Sequence, residues 1–343
     1  MKCGACRAHC PAFAALGREP AVARGKVALA KAILGEELEL DDRTYLDMSN
    51  CLLCGSCVEK CANDVPVDEI VVAARTALAN RRGLSTFHRA MGEVLKRRGL
   101  MNAGALMAFL MGPLIFRRVP AVSGLRLRFP LPFIGNRRHV PRIAGKPFLA
   151  RHPEVIPGRP GRPRILYFVG CMTNFIYTGV GEAALSLLRH LGCTVIIPGE
   201  QQCCGLPAMS GGDPATFGVL AERNLTAIEK HEADYVMTAC ASCGDALHKS
   251  YPKMLGRMRP ELLPRFEKIS AKAVDASALL MELGLDPAET GRGGEIAITY
   301  HDPCHLRTRG ITRQPRELLR NVPGASFTEM EGSDGCCGLG GTF

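Results

Sequence analysis

From residue 164 onward, short apolar runs alternate with amphipathic stretches. Residues 164–170 (RILYFVG) are apolar without alternation, which predicts a strand buried on both faces. Residues 181–191 predict a helix, 194–197 a strand, 214–231 a helix and 235–238 a strand. The pattern restarts with a strand at 295–300 (EIAITY) and a helix at 313–321. Strand–helix alternation of this kind predicts parallel sheets covered by helices. The first 80 residues read differently. Residues 21–40, rich in Ala, Leu, Glu and Lys, and 67–80, after the Pro66 break, predict helices. Residues 81–163 are proline-rich and predict a connector. The chain therefore reads as an α+β multidomain protein: an all-α domain at 1–80, a connector at 81–163, and α/β units at 164–290 and 291–343.

Spacing shows that the two α/β units are repeats. Cys171 is followed after 31 residues by Cys203-Cys204-Gly205, and Cys304 after the same 31 by Cys336-Cys337-Gly338. Each lone cysteine ends a strand, and each Cys-Cys-Gly lies in a loop. The first unit adds Cys240-x2-Cys243. In the second, no C-x2-C follows before the chain ends.

The chain holds 16 cysteines in 343 residues. Met1-Lys2 runs straight into Cys3, without the apolar run of a signal peptide, and the cysteines stand in tight C-x2-C groups. Both features predict reduced thiolates in a cytoplasm, used as metal ligands, over a secreted disulfide framework. Cys51-x2-Cys54-x2-Cys57-x3-Cys61 has the pitch of a two-cluster ferredoxin, in which three cysteines wrap one [4Fe–4S] cube and the fourth reaches the other. Cys3-x2-Cys6-x3-Cys10-Pro11 is the same motif without its leading cysteine, so the chain is expected to begin at an internal methionine. The interleaving assigns Cys3, Cys6 and Cys61 to one cluster. It assigns Cys10, Cys51, Cys54 and Cys57 to the other. Zinc is the competing reading. It usually takes two C-x2-C pairs at a longer gap, which leaves the Cys57 and Cys61 spacings unexplained.

In the first α/β unit, Cys171, Cys203, Cys204, Cys240 and Cys243 are five thiols at loop positions on one edge. Adjacent cysteines make a strained disulfide, so convergence on a metal cluster is the expectation. Cys304, Cys336 and Cys337 are the corresponding set in the second unit. Cys193 lies outside the pattern and reads as a core residue. His301, Asp302 and His305 flank Cys304 as ligands, as proton carriers, or as residues that orient the loop.

Charge is unevenly spread. The net charge is +10, but residues 81–164 carry eighteen Lys/Arg and two acids, so the remainder is net negative. A basic segment implies an acidic protein or an anionic membrane surface as partner. Nucleic acid is not expected, since no binding motif accompanies the charge. Within this segment, residues 99–116 are apolar and flanked by the pairs Arg97-Arg98 and Arg117-Arg118, with Arg137-Arg138 beyond. The expectation is a helix packed on the protein. Its basic flanks also suit peripheral docking at the inner face of a membrane.

The Cys-Cys-Gly loops, each after a distant cysteine, behind a two-cluster domain, resemble the iron–sulfur subunits of glycolate oxidase. The arrangement is similar to lactate-utilisation subunits, to the iron–sulfur subunits of anaerobic glycerol-3-phosphate dehydrogenase, and to heterodisulfide reductases. His301 to Arg307 (HDPCHLR) looks like that family's second-repeat loop. The resemblance implies a flavoprotein dehydrogenase partner that oxidises glycolate or D-lactate, with electrons carried to quinone or another acceptor. It also implies that the five-thiol set holds a non-cubane [4Fe–4S] cluster of the kind that cleaves disulfides. In line with a separate flavoprotein, no G-x-G-x-x-G fingerprint lies between a strand and a helix.

Overall fold

A computed structural model describes residues 3–38, 40–118, 125–128, 140–290 and 294–338. The described part of 1–80 is helical, with helices Pro11–Leu16, Ala23–Leu34, Asp42–Ser49, Ser56–Glu59 and Val67–Arg82. Val67, Val71, Ala74 and Leu78 recur at helical spacing on the last of these, and pack against Ala30, Ile33 and Met48. The helix expected at 21–40 stops at Leu34, where Gly35 N–H returns to the Lys31 carbonyl at 2.8 Å.

The connector is more ordered than its prolines suggest. It contains helices Thr86–Lys96 and Arg98–Ile115, then an antiparallel pair, β1 Phe116–Arg118 and β2 Leu125–Leu127. Ser85 caps the first helix by accepting from the His88 N–H. Its Gly92 lies where a Cβ would sit 3.0 Å from Asp213 and Thr216, so a side chain there would crowd the approach of this helix to the first α/β unit. The second helix departs from expectation: none of its residues is buried. Arg137-Arg138 and the prolines at 120, 130 and 132 lie outside the described residues.

Beyond the connector, five strands form one sheet in the order β3-β5-β4-β6-β7. These are β3 Val155–Ile156, β4 Arg164–Tyr167, β5 Thr194–Ile196, β6 Tyr235–Thr238 and β7 Ala273–Asp275. All neighbours run parallel except β3, which pairs antiparallel to β5 with Val155 opposite Ile196. The sheet thus begins inside the segment assigned to the connector, before residue 164. Two residues of strand at an edge give too short an apolar run to register in the sequence. Leu166 and Phe168 face a core with Phe217, Leu220, Leu247 and Phe266. Ile165, Tyr167 and Val169 face another with Leu185, Leu188 and Leu279. Burial on both faces explains why RILYFVG shows no alternation. Cys193 is buried in the second core, as a small apolar residue. In the last segment β8 Ile296–Ile298 pairs parallel with β9 Ala325–Phe327.

Candidate metal centres

Parallel strands deliver their chemistry at their carboxyl ends. Cys171 follows β4, Cys203-Cys204 follow β5, and Cys240 and Cys243 follow β6, so three loops bring five thiols to one edge. The Cys171 and Cys203 sulfurs are 3.6 Å apart. Cys204 lies within hydrogen-bond reach of Cys203 and Cys243, and Cys243 of Cys240. Gly170 is what the approach requires. It sits at φ 72°, and a Cβ there would be 2.7 Å from the Cys243 sulfur.

Buried neutral groups hold these loops. Asn224 is 0% exposed; it donates to the Cys203 carbonyl at 2.9 Å and accepts from the Gln202 N–H at 2.7 Å. Tyr251, on the π-helical stretch Ala246–Leu255, donates to the Cys204 carbonyl at 2.9 Å. Gln201 accepts from the Val169 N–H at 2.7 Å and donates to the Pro198 carbonyl at 3.1 Å.

Thiol chemistry tests whether this set suits a cluster. Hydrogen bonds from Cys203 and Cys243 pull Cys204 down to about 6, and a bond from Cys243 pulls Cys240 down to about 6. Cys171 and Cys243 go the other way, each held up first by a thiol neighbour and then by burial. Thiolates this close repel one another, so the lowering of some is matched by the raising of their neighbours. Iron would neutralise all five, and the donor set fits it.

The N-terminal motifs form a second site. Cys10, Cys51, Cys54 and Cys57 line one cavity, together with Pro11, Lys26, Leu53 and Val67. The structure thereby brings Cys10 to the three cysteines of the other motif. Backbone amides point at the sulfurs: Phe13 N–H reaches Cys10 at 3.4 Å, and Cys51 and Cys54 accept from Leu53 and Ser56. Leu53 takes a left-handed φ of 52° within this wrap, a conformation side-chain-bearing residues rarely hold. Burial pushes the Cys57 thiol up to about 12, a cost that bound cations remove. Cys3 is exposed, and Cys6 and Cys61 are half-buried. Cys6 sits on the turn Ala5–Arg7, which packs against helix Ser56–Glu59. Among the described residues no three His, Cys, Asp or Glu groups close on one point as ligands of a single ion would. Thiols spread around a cavity suit a four-iron cube, where each sulfur meets a different iron.

Cys304 and Cys336 of the second unit come together, and Cys336 is also within hydrogen-bond reach of Cys54. Cys337 is exposed. The second unit therefore lies against the N-terminal cavity. Arg307 fastens the contact by donating to Glu59 and, at 2.8 Å, to Ser56. Gly55, at φ 72°, leaves room for Thr308, whose methyl would be 2.8 Å from a Cβ. His301 and Asp302 hold loops in the structure. The His301 ring nitrogen meets the Gly335 carbonyl at 2.8 Å, and Asp302 accepts from Arg316 at 2.6 and 2.9 Å.

Residues 1–65 match the 4Fe-4S dicluster domain, and residues 165–248 and 298–343 each match the cysteine-rich CCG domain. A lactate utilization protein A from an Exiguobacterium species is 33% identical over 182 residues, covering 53% of this chain and 73% of that protein. The chain belongs to this family of iron–sulfur proteins. A probable glycolate oxidase iron–sulfur subunit of Bacillus subtilis is 29% identical over 351 residues, covering 100% of this chain and 79% of that protein. One subunit of the dihydromethanophenazine:CoB–CoM heterodisulfide reductase of Methanosarcina barkeri is 27% identical over 364 residues, covering 99% of this chain and 77% of that protein. The dicluster domain implies two [4Fe–4S] clusters, and the family is that of glycolate oxidase and heterodisulfide reductase-related iron–sulfur proteins.

Proposed function

We propose that this chain is the electron-transfer subunit of a flavin-dependent 2-hydroxy-acid oxidoreductase. It takes electrons from a flavoprotein that oxidises glycolate or D-lactate, and hands them to quinone or another acceptor. The observation that carries this reading is continuity of thiols across the fold. Cys54 reaches Cys336, and helix Cys304–Arg307 packs on helix Ala241–Asp245 of the five-thiol site. The ligands proposed are Cys3, Cys6 and Cys61 for the outer cluster and Cys10, Cys51, Cys54 and Cys57 for the inner one. Cys171, Cys203, Cys204, Cys240 and Cys243 are proposed for a further, non-cubane cluster, with Cys304, Cys336 and Cys337 beside the inner site. Bound clusters supply one-electron chemistry; the chain supplies thiolates, N–H donors to sulfur, and walls that exclude water.

The test is reconstitution. Anaerobic protein is expected to be brown, to lack dehydrogenase activity alone, and to carry electrons from glycolate or D-lactate to a quinone when the flavoprotein is added. Oxidation of either acid by the chain alone overturns the proposal. The complete five-thiol set favours a second reading, a disulfide-reducing role as in heterodisulfide reductases. Turnover of a thiol–disulfide substrate by reduced protein without flavoprotein would establish it. Glycerol 3-phosphate as the partner's substrate is separated from the 2-hydroxy acids by the same reconstitution.

The place proposed is the cytoplasmic face of a membrane. Helix Arg98–Ile115 is about 27 Å long at 1.5 Å per residue and carries exposed Leu100, Leu106, Met107, Leu110 and Leu114. It contains no acid and lies in the basic segment, a charge that complements anionic lipid. Wild-type protein is expected to sediment with phosphatidylglycerol vesicles, and a Leu106→Gln, Leu110→Gln variant is not. Equal sedimentation of the two overturns lipid docking, and so does protection of the helix by the flavoprotein without lipid.

A further inference from the structure

Among the described residues, two cations stand beside the inner thiol cavity without carboxylate partners of their own. Lys26 is 1% exposed and lines the cavity. Its ammonium donates to the main-chain carbonyls of Pro20, at 3.0 Å, and Asp47. The Asp47 carboxylate is engaged elsewhere, with Arg18 at 2.5 Å and Arg43 at 3.9 Å. Arg75 approaches the same loop and spreads its guanidinium over main-chain carbonyls: Met48 at 3.1 Å, Ser49 at 2.8 Å, Cys51 at 2.7 Å and Ser210 at 2.7 Å. Both act on the Cys51 sulfur, opposing the effect of its burial.

Burial works against the Lys26 ammonium, while Cys51, Cys10 and Asp47 act to keep it charged, and carbonyl dipoles satisfy the donors of both cations without neutralising them. A full charge in a poorly solvated interior acts over several ångströms with little screening. The outer site is built differently. Arg24, a cation near Cys3 and Cys6, is partly in water and paired with Glu19, and Lys60 beside Cys61 pairs with Glu59.

We infer that Lys26 and Arg75 set the reduction potential of the inner site. The inference rests on the two-cluster reading above. A site holding four thiolates gains one negative charge on reduction. The field of Lys26 and Arg75 favours that extra charge, so these residues raise the inner potential relative to the outer one. An electron entering at Cys3, Cys6 and Cys61 then comes to rest at Cys10, Cys51, Cys54 and Cys57, next to Cys336. No bond forms and no proton moves; one electron leaves the outer site and arrives at the inner. Both cations are positioning residues that work by charge. Arg75 has a second task, tying the inner loop to Ser210 of the first α/β unit.

The experiment is an anaerobic redox titration of the full chain, followed by electron paramagnetic resonance, with iron and sulfide counted in each sample. Lys26→Gln keeps a donor and removes the charge; Arg75→Gln does the same. Each is expected to raise the oxidised-to-reduced ratio of the inner centre at least tenfold at a fixed potential, which is 59 mV downward for a one-electron couple. The outer centre should not move. Arg75→Lys keeps the charge and is expected to stay at the wild-type potential even though it loses carbonyl contacts. Neutral variants with full iron and sulfide at the wild-type potential overturn the inference. If both neutral variants lose iron, Asp47→Asn decides. Removing that carboxylate should raise the inner potential, and no rise overturns the inference. Wild-type protein without iron or sulfide would defeat the electron-carrier reading instead, a separate outcome.

Discussion

The two Cys-Cys-Gly loops follow strands at equivalent places, yet their surroundings differ. Cys203 and Cys204 are buried, and their loop is fixed by Asn224, Gln201 and Tyr251, all buried and neutral. Cys336 is half-buried and Cys337 exposed, and their loop is fixed by charge: Asp302 to Arg316, and Arg316 to Glu329 at 2.7 Å. A neutral network can be sealed from water at modest desolvation cost, whereas this ionic one buries Asp302 against the largely covered Arg316 and leaves Glu329 in contact with solvent, since burying charge is expensive unless it is paired. Equal spacing in sequence therefore repeats the topology of the thiols but not their environment. The first site is a closed chamber. The second is an open junction against the N-terminal cavity.

Iron content gives the widest separation between the two. Cys204→Ser removes the sulfur at the centre of the five-thiol set, and is expected to lose the iron of that site, about four atoms for a [4Fe–4S] cluster. Cys337→Ser should leave iron and sulfide at wild-type levels. The check is stoichiometry on anaerobic protein; equal losses in both variants would erase the distinction between chamber and junction.

Stability should divide the same way. Asn224→Leu leaves the Gln202 N–H and the Cys203 carbonyl without a side-chain partner in the interior, and is expected to cost about 3 kcal/mol. Asp302→Asn keeps an acceptor for Arg316, which also holds the more exposed Glu329, so although the Asp302–Arg316 pair is largely buried the loss is partly offset; about 2 kcal/mol is expected. Urea unfolding midpoints on iron-replete protein measure both. A larger loss at Asp302 than at Asn224 would reverse the argument.

Much of the chamber was legible in the sequence and little of its support was. Strands β4, β5, β6 and β8 showed as short apolar runs, β4 most clearly because it is buried on both faces, whereas β7 Ala273–Asp275 and β9 Ala325–Phe327 have too few apolar residues to show. The thiols showed because cluster ligands need fixed short spacings. Nothing in a cysteine motif announces Tyr251 or Gln201, which act through main-chain carbonyls and amides of distant loops. Asn224 left a trace: it interrupts the apolar stripe Phe217, Leu220, Ala221, Leu225 and Ile228 on helix Pro214–Glu229, and a polar residue at a core position needs a partner. The helix Arg98–Ile115 was visible as an apolar stretch, but the exposure of its other face depends on where its neighbours end. The meeting of Cys54 with Cys336 had no local signal, since it arises from docking of two separately patterned segments.

That docking gives the next prediction. Gly55→Ala places a methyl against Thr308 at a left-handed φ, and is expected to cost about 1–2 kcal/mol. Adding Thr308→Ser removes the methyl that would clash and should recover part of the loss, leaving the backbone share. A double variant no better than Gly55→Ala would mean that the backbone conformation, not the contact with the second unit, accounts for the whole effect.

The smallest effect concerns the ion pair at the same junction. The Arg307 side chain is 7% exposed and that of Glu59 31%. Glu59→Gln keeps an amide oxygen for Arg307, which retains its bond to Ser56, so only the charge is lost. With one partner open to water, screening limits that charge to about 0.5–1 kcal/mol. Arg307→Met should cost more, because it leaves the Ser56 hydroxyl and a half-buried carboxylate without their shared donor. The ranking is decisive where the magnitudes are small. If Glu59→Gln destabilises as much as Arg307→Met, the junction behaves as a sealed ionic core, and the contrast between closed chamber and open junction would not hold at its boundary.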